Sequence, residues 1–600
     1  MSARELITEH LDLWTGAVKK KSSSGRGSNG KVELTGIKKL RELILELAVR
    51  GKLVQQDSKD EPASLRLEKI ANEKARLAKE GKIKKPKKQP AITEEDVPFE
   101  LPRGWQWTRI WDVSELITSG SRDWAKYYSN SGAIFITMGN LSRGDYKLRL
   151  DNMRYVSPPP GGEGARTSLQ AGDLVVSITG DVGNLGLIPE GFGEAYINQH
   201  SCLVRFSPLC RNRYHAEFLR SPCAKSQFDE PQRGVKNSFR LSDMGEMLIP
   251  FPPLEEQHRI VQKVDELMVI CDRLEQQSSD QLEAHEALVD TLLGTLTQSA
   301  NVTELADNWA RLAAHFDTLF TTEQSIDKLK QTILQLAVMG RLVERDTEDE
   351  PAAKLVKYIK AGKAFLIKNK EIKKQASLKS IHLNKASDQM PEHWVSGNVD
   401  ELCHVQGGIQ KQPKRNPLRN KYPYLRVADV QRGFLLDCGD LPEFELFNDE
   451  PKQYELKEGD ILIVEGNGSA DEVGRCAIWD GRVPGCVYQN HLMRVRPIIT
   501  ETSSYLALYL NSPSGIQEMK RLAVTSSGLY NLSVGKIRGI SVPLPPLPEQ
   551  LRIVRKVDEL IALCNQLKEH LDQARETGCQ FAEATLANAV YGSINRASVS

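Results

Sequence analysis

PFPPLEEQHRIVQKVDELM, from Pro250 to Met268, returns as PLPPLPEQLRIVRKVDELI, from Pro543 to Ile561, with fourteen of nineteen residues identical at an offset of 293. Chance does not produce such a match, so any fold must place the same element twice. The repetition also reaches far beyond this stretch. IKKLRELILELAVRGKLVQQD (Ile37 to Asp57) returns as IDKLKQTILQLAVMGRLVERD (Ile326 to Asp346), at an offset of 289. DEPA recurs at Asp60 and Asp349, and LPRGW (Leu101 to Trp105) answers MPEHW (Met390 to Trp394). The offset drifts only slightly, to 291 between His200 and His491 and to 293 at the opening stretch, so the chain is a tandem duplication of units of about 290 residues.

Within each unit the pattern changes in the same order. LILELAVRG and its partner carry apolar residues at helical spacing and end on Gly51 or Gly340, where a helix C-cap belongs. Helices are expected over 36–50 and 325–339. Lysine-rich linkers follow, KIKKPKK (Lys82 to Lys88) and KNKEIKK (Lys368 to Lys374). Such runs are as a rule solvated linkers, and phosphate contact is the alternative. Short apolar runs broken by Gly, Asn and Pro come next, AIFITMG, GDLVVSITG and CLVRF in one unit and YPYLRVADV and GDILIVEG in the other. They predict strands and turns of a mixed α/β head of about 150 residues.

The repeated motif closes each unit. Its prolines suit an entry turn, and the next forty residues contain none, which predicts long helices over 254–299 and 547–590. Ile260, Val264, Leu267, Cys271 and Leu274 fall at alternating spacings of four and three, as do Ile553, Val557, Leu560, Cys564, Leu567 and Leu571. That spacing is a coiled-coil seam; a core helix of a globular domain is the competing reading. At 1.5 Å per residue the first helix would reach about 70 Å, up to roughly twenty base pairs of B-DNA. Two heads on such a rod suggest a ruler.

Lys and Arg total 80 against 79 Asp and Glu, so any surface for a polyanion must be local. Ten scattered cysteines without CxxC spacing, no apolar signal region at the start and no run of eighteen apolar residues predict a cytoplasmic protein with reduced thiols and no membrane contact. GRGSNGKV (Gly25 to Val32) resembles a phosphate loop but has Val32 where Ser or Thr would hold Mg²⁺, so it reads as a linker. LIVEGNGSADEVG (Leu462 to Gly474) faintly resembles a methyltransferase cofactor loop but lacks the third glycine, and a turn between strands is the simpler reading. No HExxH, G-x-S-x-G or paired-carboxylate motif is present, so the sequence gives no ground for calling the chain an enzyme.

PLPPLPEQLRIVRKVDEL, its partner at Pro250, and SSGLYNLSVGKIRGISVPLPP (Ser526 to Pro546) resemble the specificity subunits of type I restriction-modification systems. LAVRGKLV and LAVMGRLV are similar to further blocks of one subgroup of that family. The resemblance covers the chain from about residue 36. It implies a mixed α/β fold with two target-recognition domains separated by two long antiparallel coiled-coil helices, related by an internal pseudo-two-fold repeat. The expected division is a helical region with basic linker over 1–98, recognition domains over 99–249 and 390–542, a central helical region over 250–389 and a terminal helix over 543–600. The family further implies double-stranded DNA as ligand, each head reading one half of a bipartite asymmetric site. Two methyltransferase subunits using S-adenosylmethionine dock on it, and two restriction subunits, consuming ATP with Mg²⁺, are further partners the family admits. This chain itself is expected to bind no cofactor. A circular arrangement is implied too, with the first helix near the last.

Two heads that read different bases should differ where they read. Asn198, Gln199 and His200 recur as Gln489, Asn490 and His491, and Arg143 before Gly144 recurs as Arg432 before Gly433. Asn and Gln can pair with adenine, yet recurrence favours a structural or phosphate role. The heads diverge over 119–132 against 407–423 and over 233–240 against 526–533. These segments supply Arg122, Lys126, Lys236, Asn237 and Arg240 in one head and Lys411, Lys414, Arg415, Tyr530 and Asn531 in the other, residue types that reach bases and phosphates. Solvated turns are the bland alternative for each. Two other functions stay open at this point: a scaffold whose heads bind proteins, and a fused methyltransferase with a degenerate cofactor loop.

Overall fold

The computed structural model describes residues 11–20, 32–85, 89–159, 161–162, 164–230, 238–376, 390–467, 469, 472–526 and 529–591. They form two compact units. The first runs to Gln281 and takes in the chain from Ala574 on; the second is Leu282–Gln573. Each long helix therefore starts in one unit and ends in the other: Leu254–Gln298 passes from the first to the second, and Leu547–Tyr591 the reverse.

Each unit carries one head built to the same plan. In the first, strands Ser114–Ser119, Ser201–Phe206, Leu174–Ser177 and Leu185–Leu187 pair antiparallel in that order, and in the second Cys403–Gly407, Leu492–Pro497, Ile461–Val464 and Cys476–Ile478 do the same. The GDLVVS and GDILIV runs are the inner strands; Leu174–Ser177 and Ile461–Val464 are buried throughout, as apolar runs covered on both faces should be. A smaller sheet follows, in which Ala195–Ile197 lies parallel to Ala133–Ile136, matched by Val487–Tyr488 alongside Lys421–Leu425. A two-stranded ladder then joins the beginning of each head to its end, Gln106–Arg109 with Leu248–Phe251 and Val395–Asn398 with Ser541–Leu544. The ladder leads directly into the proline turn and the long helix.

The repeated sequence blocks turn out to be one another's partners. Trp105 Nε1 donates to Glu256 at 2.9 Å, and Trp394 Nε1 to Glu549 at 3.0 Å. Arg259 pairs with Asp60 of the first DEPA and Arg552 with Asp349 of the second, each at 2.6 Å. Gln257 and Gln550 donate to the carbonyls of Pro252 and Pro545, so the glutamine of the motif fixes the turn before its own helix. The motif thus fastens head, entry turn and helix, and all three ties recur.

The short helices Thr35–Val49 and Glu323–Val338 end as expected on glycines in the left-handed region, Gly51 (φ +65°) and Gly340 (φ +69°). Each packs on a pair of consecutive helices of its own head. Glu46 accepts from Cys223 N at the start of helix Pro222–Asp229, and Gln335 accepts from Ser514 N at the start of Pro513–Leu522. The predicted seam is buried: Ile260, Val264 and Cys271 join the core of the first unit and Ile553, Val557 and Cys564 that of the second. Charge is reversed between the two. Arg41 on the short helix bridges Asp272 and Glu275 at 2.8 and 2.7 Å, whereas Lys568 on the long helix bridges Glu323 and Asp327 at 3.2 and 3.3 Å. Exchanged partners would set Arg41 against Lys568 and Asp327 against Glu275, so like-charge repulsion favours pairing within each unit. In the first unit Cys579 and Ala582 of the last helix share a core with Ile37 and Leu40 of the helix expected over 36–50, and with Trp14 and Ala17 before it.

Among the helices that escaped the sequence reading are Ala63–Lys79 and Ala352–Lys368, which start at the prolines of DEPA. Lys74 and Lys363 reach from them to carbonyls at the ends of the single-turn helices Ile110–Val113 and Val399–Leu402. The lysine runs that follow, over their described residues, are mostly exposed, with Lys82 paired to Glu80.

Both heads also hide a histidine. His215 is fully buried and stacked on Phe206, and burial pushes its pKa down to about 4. His404 is likewise pushed down to about 4, by burial first and then by Arg494 and Lys363. Against 6.5 in the unfolded chain, the folded protein binds fewer protons between the two values, so stability is full above pH 6.5 and falls as the pH drops toward 4. At pH 5 each ring is expected to cost about 2 kcal/mol. Urea unfolding at about pH 7.5 and pH 5 checks this: the wild-type midpoint should fall with acid more than that of a His215→Gln, His404→Gln variant, and equal falls would clear the two rings.

Candidate nucleic-acid interface

A turn, a strand end and two chain segments converge at one edge of each head. After strand Ser114–Ser119 the chain passes Gly120 so closely that a Cβ there would lie 2.0 Å from the carbonyl oxygen of Ile197; at Gly408 it would lie 2.1 Å from that of Gln489. Only glycine permits this approach. It sets up the parallel bridges Ser121 to Asn198 and Ile409 to Gln489. The turn is next tied to the end of the inner strand, by Ile178 N to His200 O at 3.0 Å and Glu465 N to His491 O at 2.8 Å. A fourth segment closes the group through Phe239 N to Ile178 O and Leu532 N to Glu465 O. The backbone frame is the same in both heads.

In the first head the frame carries Asn198, whose Oδ1 accepts from His200 N at 3.0 Å and shapes the turn. His200 Nδ1 lies 2.8 Å from Thr179 Oγ1, and Gln199 Nε2 lies 3.0 Å from His200 Nε2. Much of this trio's hydrogen bonding is thus spent on the turn itself. Arg122 follows the bridge and is exposed, as is Lys126, whose ammonium sits 4.9 Å above the Tyr127 ring. Arg143 donates to the Val182 carbonyl and so holds two loops together. Arg240 is exposed next to Phe239. Lys236 and Asn237 lie outside the described residues.

The second head presents its set more openly. Exposed Lys411 lies two residues past the Ile409 bridge. Asn490 N donates to Ile409 O at 2.6 Å, and His491 is held with φ +70° and its side chain 63% exposed. Tyr530 and Asn531 belong to the hairpin Val524–Ser526 and Leu529–Asn531, which pairs with Gly466–Asn467 beside the turn. Lys411, Gln489, Asn490, His491, Tyr530 and Asn531 are therefore brought together. Lys414 is exposed on the turn Pro413–Arg415. Arg415 is committed elsewhere, its guanidinium bonded twice to Glu450 at 3.0 and 2.9 Å. Arg432 precedes Gly433, whose N–H is tied to the Cys476 carbonyl.

Thr179 and Glu465 stand at the centre of these frames and were missed in the sequence. A signal existed: both follow a strand recognisable in each unit, and Ile178 in one head is replaced by Glu465 in the other. Gly466 and Asn467 of the GNG stretch serve the ladder, pairing with Asn531 and Tyr530, and Gly468 lies outside the described residues. Among the described residues no cluster of His, Cys, Asp and Glu could hold a metal ion. A cavity of about 1150 Å³ is lined by Leu67, Lys74, Pro90, Trp107 and Arg109, on helix Ala63–Lys79 and away from this edge. No helix among them is long and apolar enough to cross a membrane.

The description "Type I restriction modification DNA specificity domain" applies to a family model that matches twice, over residues 102–284 and 391–574. Each match runs from the start of a head into its long helix. The specificity subunit of the type I restriction enzyme EcoAI from Escherichia coli is 38% identical over 612 residues, covering 97% of this chain and 99% of that protein. The corresponding EcoEI subunit, also from Escherichia coli, is 36% identical over 607 residues with the same coverage. A solved chain from work on assembly and conformational transition of the type I R-M system aligns at 18% identity with a TM-score of 0.49, covering 82% of this chain and 100% of that one. With family matches over more than half its length and such relatives end to end, this chain belongs to the specificity subunits of type I restriction-modification systems.

Proposed function

We propose that the chain chooses the DNA sequence on which a type I restriction-modification assembly acts. Head 99–249 reads one half of a bipartite asymmetric site and head 390–542 the other, with the long helices setting the unread spacer between them. One observation carries this reading: a single backbone frame, locked by Gly120 or Gly408, presents different side chains in the two heads. A binding edge that must recognise two different half-sites on one scaffold needs that combination. The long helices also dock two methyltransferase subunits, and two restriction subunits complete the nuclease. S-adenosylmethionine, ATP and Mg²⁺ belong to those partners. Methylation mapping in cells carrying this chain with its methyltransferase should give one interrupted, asymmetric motif that vanishes when this chain is deleted. Survival of the motif without the chain would overturn the reading.

The purified chain alone is expected to transfer no methyl group, since Gly466 and Asn467 of the one stretch that faintly resembles a cofactor loop are built into a ladder and that stretch lacks the third glycine. Incubation with radiolabelled S-adenosylmethionine and DNA should leave the DNA unlabelled until methyltransferase is added. Label incorporated by the chain on its own would refute this.

A further inference from the structure

Glu465 sits where the two heads share backbone and differ in chemistry. Its N–H and carbonyl make the same two bonds as those of Ile178, to the histidine turn on one side and the closing segment on the other. Ile178 is buried at 6% exposure, whereas the Glu465 side chain is 31% exposed. Its Oε2 lies 3.4 Å from His491 Nδ1, and the next residue, Gly466, pairs with Asn531 of the hairpin. The carboxylate therefore lies beside His491, one residue from the ladder that holds Tyr530 and Asn531, on an edge whose other side chains are cationic or neutral.

A carboxylate is an odd choice on a surface that meets DNA. It repels phosphates, and when ionised it only accepts hydrogen bonds. In the major groove, guanine and thymine present acceptors alone, N7 with O6 and O4, while cytosine N4 and adenine N6 are amino donors. A carboxylate against a base edge thus tolerates cytosine or adenine and rejects the other two. We propose that Glu465 is a specificity-determining residue of the second head, accepting a hydrogen bond from the exocyclic amino group of a cytosine or adenine in its half-site. His491, held in the left-handed region beside it, orients the carboxylate. The first head, with Ile178 buried at this place, makes no such contact.

The proposal rests on the reading of this edge as the DNA face, and the test separates the two. The full chain with its methyltransferase is used, and methylated-site logos are compared for wild type, Glu465→Ala and a Lys411→Ala, Asn531→Ala variant. Glu465→Ala should relax one base pair of one half-site by roughly tenfold or more in discrimination, the pair whose cytosine or adenine amino group the carboxylate accepts from. The other half-site should stay sharp, which also reports that the chain is folded. A uniform drop in methylation with an unchanged logo would make Glu465 a support for the histidine turn and overturn the proposal. Relaxation in the half-site of the first head would overturn it too. If the Lys411→Ala, Asn531→Ala variant also leaves both the logo and the extent of methylation unchanged, the edge itself is not the DNA face.

Discussion

Replacing Gly408 by alanine is expected to erase recognition of one half-site and leave the other intact, with Gly120→Ala producing the mirror result. The added methyl would lie 2.1 Å from Gln489 O in one head and 2.0 Å from Ile197 O in the other. Both obstacles are backbone, so no side-chain rotation relieves them and the turn must move away from the strand. In the second head that turn carries Gln489, Asn490 and His491 and is bonded through Glu465 to the Tyr530 hairpin, so the whole reading edge loses its register. A base contact contributes about 1–3 kcal/mol of discrimination, and losing two would reduce methylation of the proper site at least about thirtyfold. Methylated-site logos for the two variants check this. Blurring of both half-sites by either substitution would mean that the heads are not independent readers.

Lengthening both long helices by four residues, after Gln281 and after Gln573, is expected to change the unread spacer and nothing else. These are the places where each helix leaves one unit for the other. Four helical residues add about 6 Å, close to two base-pair steps of B-DNA. The bases in both half-sites should be unchanged, because each head keeps its own sheets, ladder and short helix. A changed base within either half-site would contradict the division between reading and spacing.

Much of this organisation was legible because the chain says everything twice. The long helices, the seam and the C-cap glycines were marked by spacing and by the absence of proline, which are local signals. Helices Ala63–Lys79 and Ala352–Lys368 were missed because their apolar stripe is thin; Leu65, Tyr358 and Phe365 are exposed, and the starting proline looked like part of a linker. The readers were harder still. Arg415 and Arg143 have the right chemistry for DNA, yet one is taken by Glu450, 35 residues on, and the other by Val182, 39 residues on. Such partners depend on sheet order, which residue type does not encode. Glu465 was passed over for the opposite reason, since a search for cations and amides discards a carboxylate. The repeated motif itself proved to be structural: Glu256, Gln257 and Arg259 hold the head to the helix, and so recur whatever each head reads.

Each head is expected to carry its own half-site. Replacing residues 101–249 by residues 390–542 gives a chain with the second head at both places, and the shared ladder, entry turn and tryptophan-to-glutamate bond make the junctions compatible. Methylation mapping with this chain should show the half-site of the second head twice and that of the first nowhere. An unchanged asymmetric site, or a motif containing neither original half-site, would contradict it.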